Sequence, residues 1–202
     1  MDKINYDNLM NEEISTFNGE KKKLLLHSCC GPCSTAVIER LLPYFDITVI
    51  YYNPNIEPQE EYEKRKKVQQ EFLKEINVSF IDSPWNNEEF HKVTKGLEHE
   101  PEGGKRCHVC YGLRLRYVAD IAKKNKFDYF TTTLTVSPYK NSDIINRIGN
   151  SIGYEKNIKY LYSDFKKREG YKRSILLSKE YKLYRQNYCG CLYAKGELEN
   201  EE

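Results

Sequence analysis

Seven cysteines in three tight groups are the residues best equipped for chemistry: Cys29, Cys30 and Cys33, then Cys107 and Cys110, then Cys189 and Cys191. Thiolates attack disulfides, pass electrons in pairs and bind soft metal ions. An odd count, split between groups far apart in the chain, argues against a structural disulfide framework. Three loops that converge on a metal or redox site in a reducing compartment fit the pattern better. Inert buried thiols would be scattered, not paired as C-x-x-C and C-x-C.

Each group supports more than one chemistry. Cys30-Gly31-Pro32-Cys33 has the frame of a thioredoxin-like thiol–disulfide oxidoreductase, with Cys33 at a helix start where the backbone dipole favours thiolate. That reading leaves five of the seven thiols without a role. Cys107-His108-Val109-Cys110 can hold one tetrahedral ion or two corners of an iron–sulfur cube. Joined by Cys29 and Cys30 it offers four sulfurs, enough for a [4Fe-4S] cluster or for a zinc ion stapling an RNA-binding module. Cys189-Gly190-Cys191, placed at the close of the last helix, suits either a strained, easily reduced disulfide or two more metal ligands. Gly190 eases that strain through its wider backbone freedom. Among other side chains, His27 and Asp143 are candidate proton donors, and Asp143 suits a helix cap equally well. His108 flanks a cysteine pair, whereas His91 and His99 have no partner pattern.

The elements that must carry these groups alternate between short apolar strands and amphipathic helices. Strands are predicted over 23–27, 47–52, 78–81, 128–134 and 160–162. Helices are predicted over 34–42, 58–76, 86–95 and 106–124, then through Ile144, Ile145 and Ile148, and over 172–185. This order predicts an α/β fold with a five-stranded parallel sheet, whose ligands bind beyond the carboxyl ends of the strands, where Cys29, Cys30 and Cys33 fall. There is no Walker A loop and no G-x-G-x-x-G.

Composition narrows the class further. Lys and Arg number 32 against 30 Asp and Glu, a net charge of +2, which excludes a histone-like polycation and an acidic solvating protein. No apolar run approaches the roughly 20 residues of a membrane span, and residues 1–20 read as a polar lead-in with one short helix, not a signal peptide. The expectation is a single cytoplasmic domain of 202 residues: the lead-in, a catalytic α/β unit over 21–193, and an acidic tail over 194–202. Lys166–Arg173 mixes Lys and Arg with Tyr171 beside Phe165, a composition that can hold phosphates and stack bases.

Four motifs in order, His27-Ser28-Cys29-Cys30-Gly31-Pro32-Cys33-Ser34, Arg106-Cys107-His108-Val109-Cys110-Tyr111, Thr132-Thr133-Leu134-Thr135-Val136-Ser137-Pro138-Tyr139-Lys140-Asn141 and Tyr188-Cys189-Gly190-Cys191, resemble the QueH family of cobalamin-independent epoxyqueuosine reductases. The resemblance spans about Lys23 to Tyr193. The family favours histidine where this chain has Tyr139, so no imidazole is available there. The resemblance implies a fold similar to the adenine-nucleotide α-hydrolases of the HUP group, with thiols in place of the phosphate loop and hence no use of ATP. It implies an oxidoreductase that removes the epoxide oxygen from epoxyqueuosine in tRNA, at the wobble position, in the last step of queuosine synthesis. It further implies a [4Fe-4S] cluster on Cys29, Cys30, Cys107 and Cys110, a redox-active Cys189–Cys191 pair, and an electron donor that the sequence does not identify. Cys33 is left over, for a second, mononuclear iron or as a free thiol.

Overall fold

In the computed structural model, which describes residues 4–194, five strands form one parallel sheet. They are β1 (Lys22–His27), β2 (Phe45–Ile50), β3 (Ser79–Ile81), β4 (Tyr129–Thr132) and β5 (Lys159–Tyr160), in the order β3-β2-β1-β4-β5. From the central β1 the chain builds outward through β2 and β3, then returns to the other side for β4 and β5. The switch in direction opens a crevice at the carboxyl ends of β1 and β4, where His27 is paired in register with both Ile50 and Thr132.

The strand after β1 has to turn at once, because Cys30, Gly31 and Pro32 start helix α2 in place of an extended run. The helices are α1 (Tyr6–Ser15), α2 (Gly31–Leu41), α3 (Gln59–Glu75), α4 (Asn87–Thr94), α5 (Lys105–Lys124), α6 (Ser142–Lys156) and α7 (Gly170–Glu180). Successive side chains of β1 point to opposite faces. Leu24 and Leu26 enter a core with Val37, Leu41, Phe45 and Phe72, while Leu25 enters a second core with Leu115, Val118, Phe130 and Ile145. Thus α2, α3 and α7 cover one face, and α5 and α6 cover the other.

Three local outcomes differ from the sequence pattern. The fourth strand ends at Thr132, not Leu134, because the Thr132 hydroxyl accepts from the Leu134 N–H at 3.1 Å and starts a 3₁₀ turn over Thr133–Val136. Helix α7 stops at Glu180, not Arg185: Lys182 turns left-handed at φ 51°, and the Leu183 N–H closes back on the Ser178 carbonyl at 2.8 Å. Residues 181–188 therefore form a loop that delivers Cys189 and Cys191 from a distance. The polar stretch before β1 is also less peripheral than its composition indicates, since Tyr6, Met10 and Phe17 are all buried. The acidic tail expected over 194–202 lies outside the described residues except for Ala194.

Candidate metal and redox site

Cys29, Cys30 and Cys33 sit where β1 passes into α2. Cys30 caps the helix with its sulfur, which accepts the Cys33 N–H at 3.4 Å. The sulfur atoms of the three residues lie within 4.8 Å of one another, and among the described residues they form the cysteine group able to hold a metal ion. The turn is anchored from below: the Ser28 hydroxyl donates to Gln69 Oε1 at 2.5 Å, and Asn53 Nδ2 donates to the Ser28 carbonyl at 2.9 Å. Thr133, in the 3₁₀ turn after β4, places its hydroxyl 3.6 Å from Cys29 Sγ and accepts the Cys29 N–H at 3.3 Å.

Cys107 and Cys110 lie on the first turns of α5. The Glu100 carboxylate takes the Lys105 N–H at 3.0 Å at the open end of this helix, and Cys107 Sγ accepts the Gly103 N–H at 3.2 Å. Cys110 is buried with Cys191, Phe90 and Ala194, and Cys189 packs against the same cluster. The second and third cysteine groups therefore meet each other, as the first meets Thr133. All seven cysteines are free thiols.

The Cys189-Gly190-Cys191 arm is fastened to α3. Arg65 Nη1 donates to the Cys189 carbonyl at 3.1 Å, and the Glu57 N–H donates to the Gly190 carbonyl at 2.9 Å. Gly190 is required here twice over. Its φ is +117°, and a Cβ would lie 2.9 Å from Ile56 Cγ1 and 3.0 Å from Arg65 Nη1.

A cleft of about 640 Å³ opens above these groups, a size suited to a small ligand or a single nucleotide. Cys29, Cys33, Cys189, Arg114, Lys140 and Tyr139 are part of its lining. Arg114 and Lys140 are the unexpected members. Both are buried cations, at 1% and 9% exposure, and among the described residues no buried carboxylate pairs with either. Arg114 donates to the Cys110 carbonyl at 3.4 Å and to Asn53 Oδ1 at 3.3 Å, while its Nη2 has no hydrogen-bond partner. The Lys140 ammonium pairs at 4.0 Å with the partly exposed Glu102. A buried charge left unpaired is costly, so the site is built to receive negative charge.

The electrostatics agree with that arrangement. Burial works against the Arg114 and Lys140 charges, yet the surrounding thiols, Cys189 and Cys29 among them, hold both groups above their usual values. Hydrogen bonds from Cys30 and Cys33 hold Cys29 well below the ordinary thiol range, whereas burial pushes Cys30 up to about 12. Burial likewise raises Cys110 to about 11 and Cys191 to about 12.

The structure does not bring the two candidate acids to the cleft. His27 is fully buried below it, with Nδ1 2.8 Å from the Thr132 hydroxyl and Nε2 3.0 Å from the Tyr52 carbonyl. Both ring nitrogens are occupied, and burial lowers its pKa to about 4. Asp143 accepts from the Tyr6 hydroxyl at 2.6 Å and pairs with Arg147 at 3.0 Å, which ties α6 to α1. The Lys166–Arg173 segment is also largely spent on structure: Phe165 is in the core, Arg168 pairs with Asp7, and Arg173 pairs with Glu39. Of that segment, Tyr171 lines the cleft, with the Arg185 guanidinium 5.4 Å from its ring centre.

Sequence reasoning had a usable signal for Arg114. It lies four residues beyond Cys110 and seven beyond Cys107, on the same helix face. Lys140 had a weaker one, a place in the loop after a strand whose carboxyl end faces the cysteines. Cys33, left over by a four-sulfur ligand set, belongs geometrically with Cys29 and Cys30.

The chain is 45% identical to epoxyqueuosine reductase QueH of Staphylococcus epidermidis over 95% of its own length and 85% of the relative's. It is 44% identical to the QueH of Streptococcus pyogenes, covering 95% of this chain and 78% of that one. Its fold is that of the U34-tRNA thiolase NcsA from Methanococcus maripaludis, solved with its [4Fe-4S] cluster, at a TM-score of 0.54 and 13% identity, covering 97% of this chain and 70% of that one. A family model described as "Epoxyqueuosine reductase QueH" matches residues 24–197, and with these relatives it shows that the chain belongs to the QueH family.

Proposed function

We propose that this protein reduces epoxyqueuosine in tRNA to queuosine, with an iron–sulfur cluster and a dithiol in one cleft. The observation that carries this reading is the convergence of clustered thiols and two buried cations, Arg114 and Lys140, at the switch point of the sheet. The donor set fits an iron–sulfur group: the sulfurs are soft ligands, and buried Arg114, whose Nη2 has no hydrogen-bond partner, supplies positive charge against the negative charge of thiolate-bound iron.

Cys29, Cys30, Cys107 and Cys110 would hold a [4Fe-4S] cluster, with Cys33 beside the first two as a ligand for a second, mononuclear iron. Bound there, the cluster supplies one-electron transfer. Cys189 and Cys191 supply the stoichiometry of the reaction. As the two thiols become a disulfide they release two electrons and two protons. The epoxide takes up both, its two C–O bonds break, a C=C bond forms and the oxygen leaves as water. A reductant of the dithiol class must then restore the pair. Arg65 and Gly190 hold the arm in place for this step.

The substrate is a nucleotide of an anticodon loop, which can leave its stack to enter a pocket. Tyr139 stands 78% exposed among the residues lining the cleft, and the Arg185–Tyr171 pair adds a second stacking surface with a cation for phosphate. No helix among the described residues is long and apolar enough to cross a membrane.

The test is single turnover of tRNA bearing epoxyqueuosine by the pre-reduced, iron-loaded protein, compared with Cys189→Ala. Conversion of one tRNA per chain by the wild type, with none by the variant at unchanged iron content, is the expected result. Equal conversion by both removes the dithiol from the reaction.

A further inference from the structure

Reductive opening of an epoxide builds negative charge on an oxygen atom, and the enzyme needs a group that meets that charge inside the cleft. The two acids singled out from the sequence are unavailable: His27 uses both ring nitrogens in the core, and Asp143 is bound to Tyr6 and Arg147. Three cations line the cleft, Arg114, Lys140 and Arg185. Arg185 is exposed and stacked on Tyr171, outside the cysteine layer. Arg114 lies deeper, with its Nε and Nη1 committed to Cys110 and Asn53 and its Nη2 left as the counter-charge to the metal group. Lys140 is buried, has Glu102 at 4.0 Å as its ion-pair partner among the described residues, and shares the cleft with Cys29, Cys33 and Cys189.

The loop that presents Lys140 is held on both sides. The Lys166 ammonium donates to the Thr135 carbonyl and to the Lys140 carbonyl, both at 3.2 Å, and is itself paired with Asp164 at 3.1 Å. Immediately after it, the Asn141 side chain accepts the Asp143 N–H at 2.9 Å and caps α6. Fixing the main chain in this way orients a long flexible side chain before substrate arrives, the condition under which a charged donor contributes most.

From this geometry we infer that Lys140 is a catalytic residue, whose ammonium donates a hydrogen bond to the epoxide oxygen and stabilises its charge as the C–O bonds break. Lys140 retains its proton. The two electrons and two protons come from Cys189 and Cys191, as in the balance above, so the inference rests on the reductase reading.

The experiment compares wild type, Lys140→Met and Lys140→Arg as iron-loaded holoenzymes, with iron and sulfide content, kcat and KM for epoxyqueuosine-bearing tRNA measured on each. Lys140→Met is expected to keep its iron and sulfide and its KM, and to lose kcat by about 10²–10³-fold, the loss typical of removing one donor to a developing oxyanion. Lys140→Arg, which keeps the charge, should recover at least about tenfold of that loss. A wild-type kcat in Lys140→Met overturns the assignment. So does a loss that merely tracks lost iron, which would make Lys140 a structural counter-charge, or a raised KM at unchanged kcat, which would make it a binding contact. An iron-loaded wild type without turnover defeats the reductase reading itself, and this inference falls with it.

Discussion

The two ends of the parallel sheet are built on opposite principles. At the amino end, polar and aromatic groups satisfy one another. Phe17, Phe45 and Tyr129 meet at ring-centre distances of 5.3–5.9 Å, the Tyr129 hydroxyl bonds Glu13, and Lys159 reaches the same carboxylate at 3.1 Å. The Asp128 carboxylate takes the Lys23 N–H at 2.8 Å. At the carboxyl end, buried Arg114 has no carboxylate partner among the described residues, its Nη2 and Gln186 Oε1 lack hydrogen-bond partners, and three thiols crowd together. The amino end contributes stability and asks for nothing further. The carboxyl end sacrifices some stability so that an anionic metal group and a substrate can complete it.

That contrast can be broken most sharply at the cysteines. Cys107→Ala should abolish both the visible colour of the anaerobically prepared protein and its turnover while the chain stays folded by circular dichroism. Retained colour would remove Cys107 from the ligand set. At the opposite end, Phe17→Ala should cost about 3–5 kcal/mol in urea unfolding, the range for emptying a buried aromatic site. Its iron content and kcat, measured where it remains folded, should match wild type. A change in either would mean that the two ends are coupled.

Smaller effects sharpen the picture. His27 is kept neutral by burial, its pKa lowered to about 4 from an unfolded value near 6.5. A depressed histidine contributes stability that is complete above the unfolded pKa and is lost as pH falls from about 6.5 towards 4. The full loss amounts to about 3 kcal/mol. Urea melts between pH 7 and pH 4 should show this extra decline in the wild type and not in His27→Asn; parallel curves would show that His27 is not held neutral. Gly190→Ala should lower turnover through strain of about 1–3 kcal/mol at a left-handed backbone position, with iron content preserved. Unchanged turnover would show that the arm does not need its attachment to α3.

Much of this was legible in the sequence because strong local signals agreed. The Leu24-Leu25-Leu26 run, the helical spacing of Val37, Ile38 and Leu41 and the long apolar face of α5 each gave the right element, and the alternation of strands and helices gave a five-stranded parallel sheet. The misreadings have physical causes. The threonine-rich run after Asp128 has high β propensity, but the Thr132 hydroxyl caps a 3₁₀ turn and ends the strand early. Helix α7 ends through a left-handed lysine, where no glycine announces the stop. His27 and Asp143 were plausible acids by type and position, and only the long-range approach of Tyr52 and Tyr6 shows that both are committed to the framework. The burial of Arg114 and Lys140 was hidden for the opposite reason: a basic residue ordinarily lies in solvent, and its burial is a property of the whole fold.

The central claim is that the carboxyl end holds an iron–sulfur group, and it is tested most directly by iron, zinc and acid-labile sulfide analysis, with an absorption spectrum, on protein purified without oxygen. Near-equal iron and sulfide with a broad brown visible band is the predicted result. Zinc without sulfide, or no metal at all, would contradict it and leave the buried Arg114 without the anion it is placed to meet.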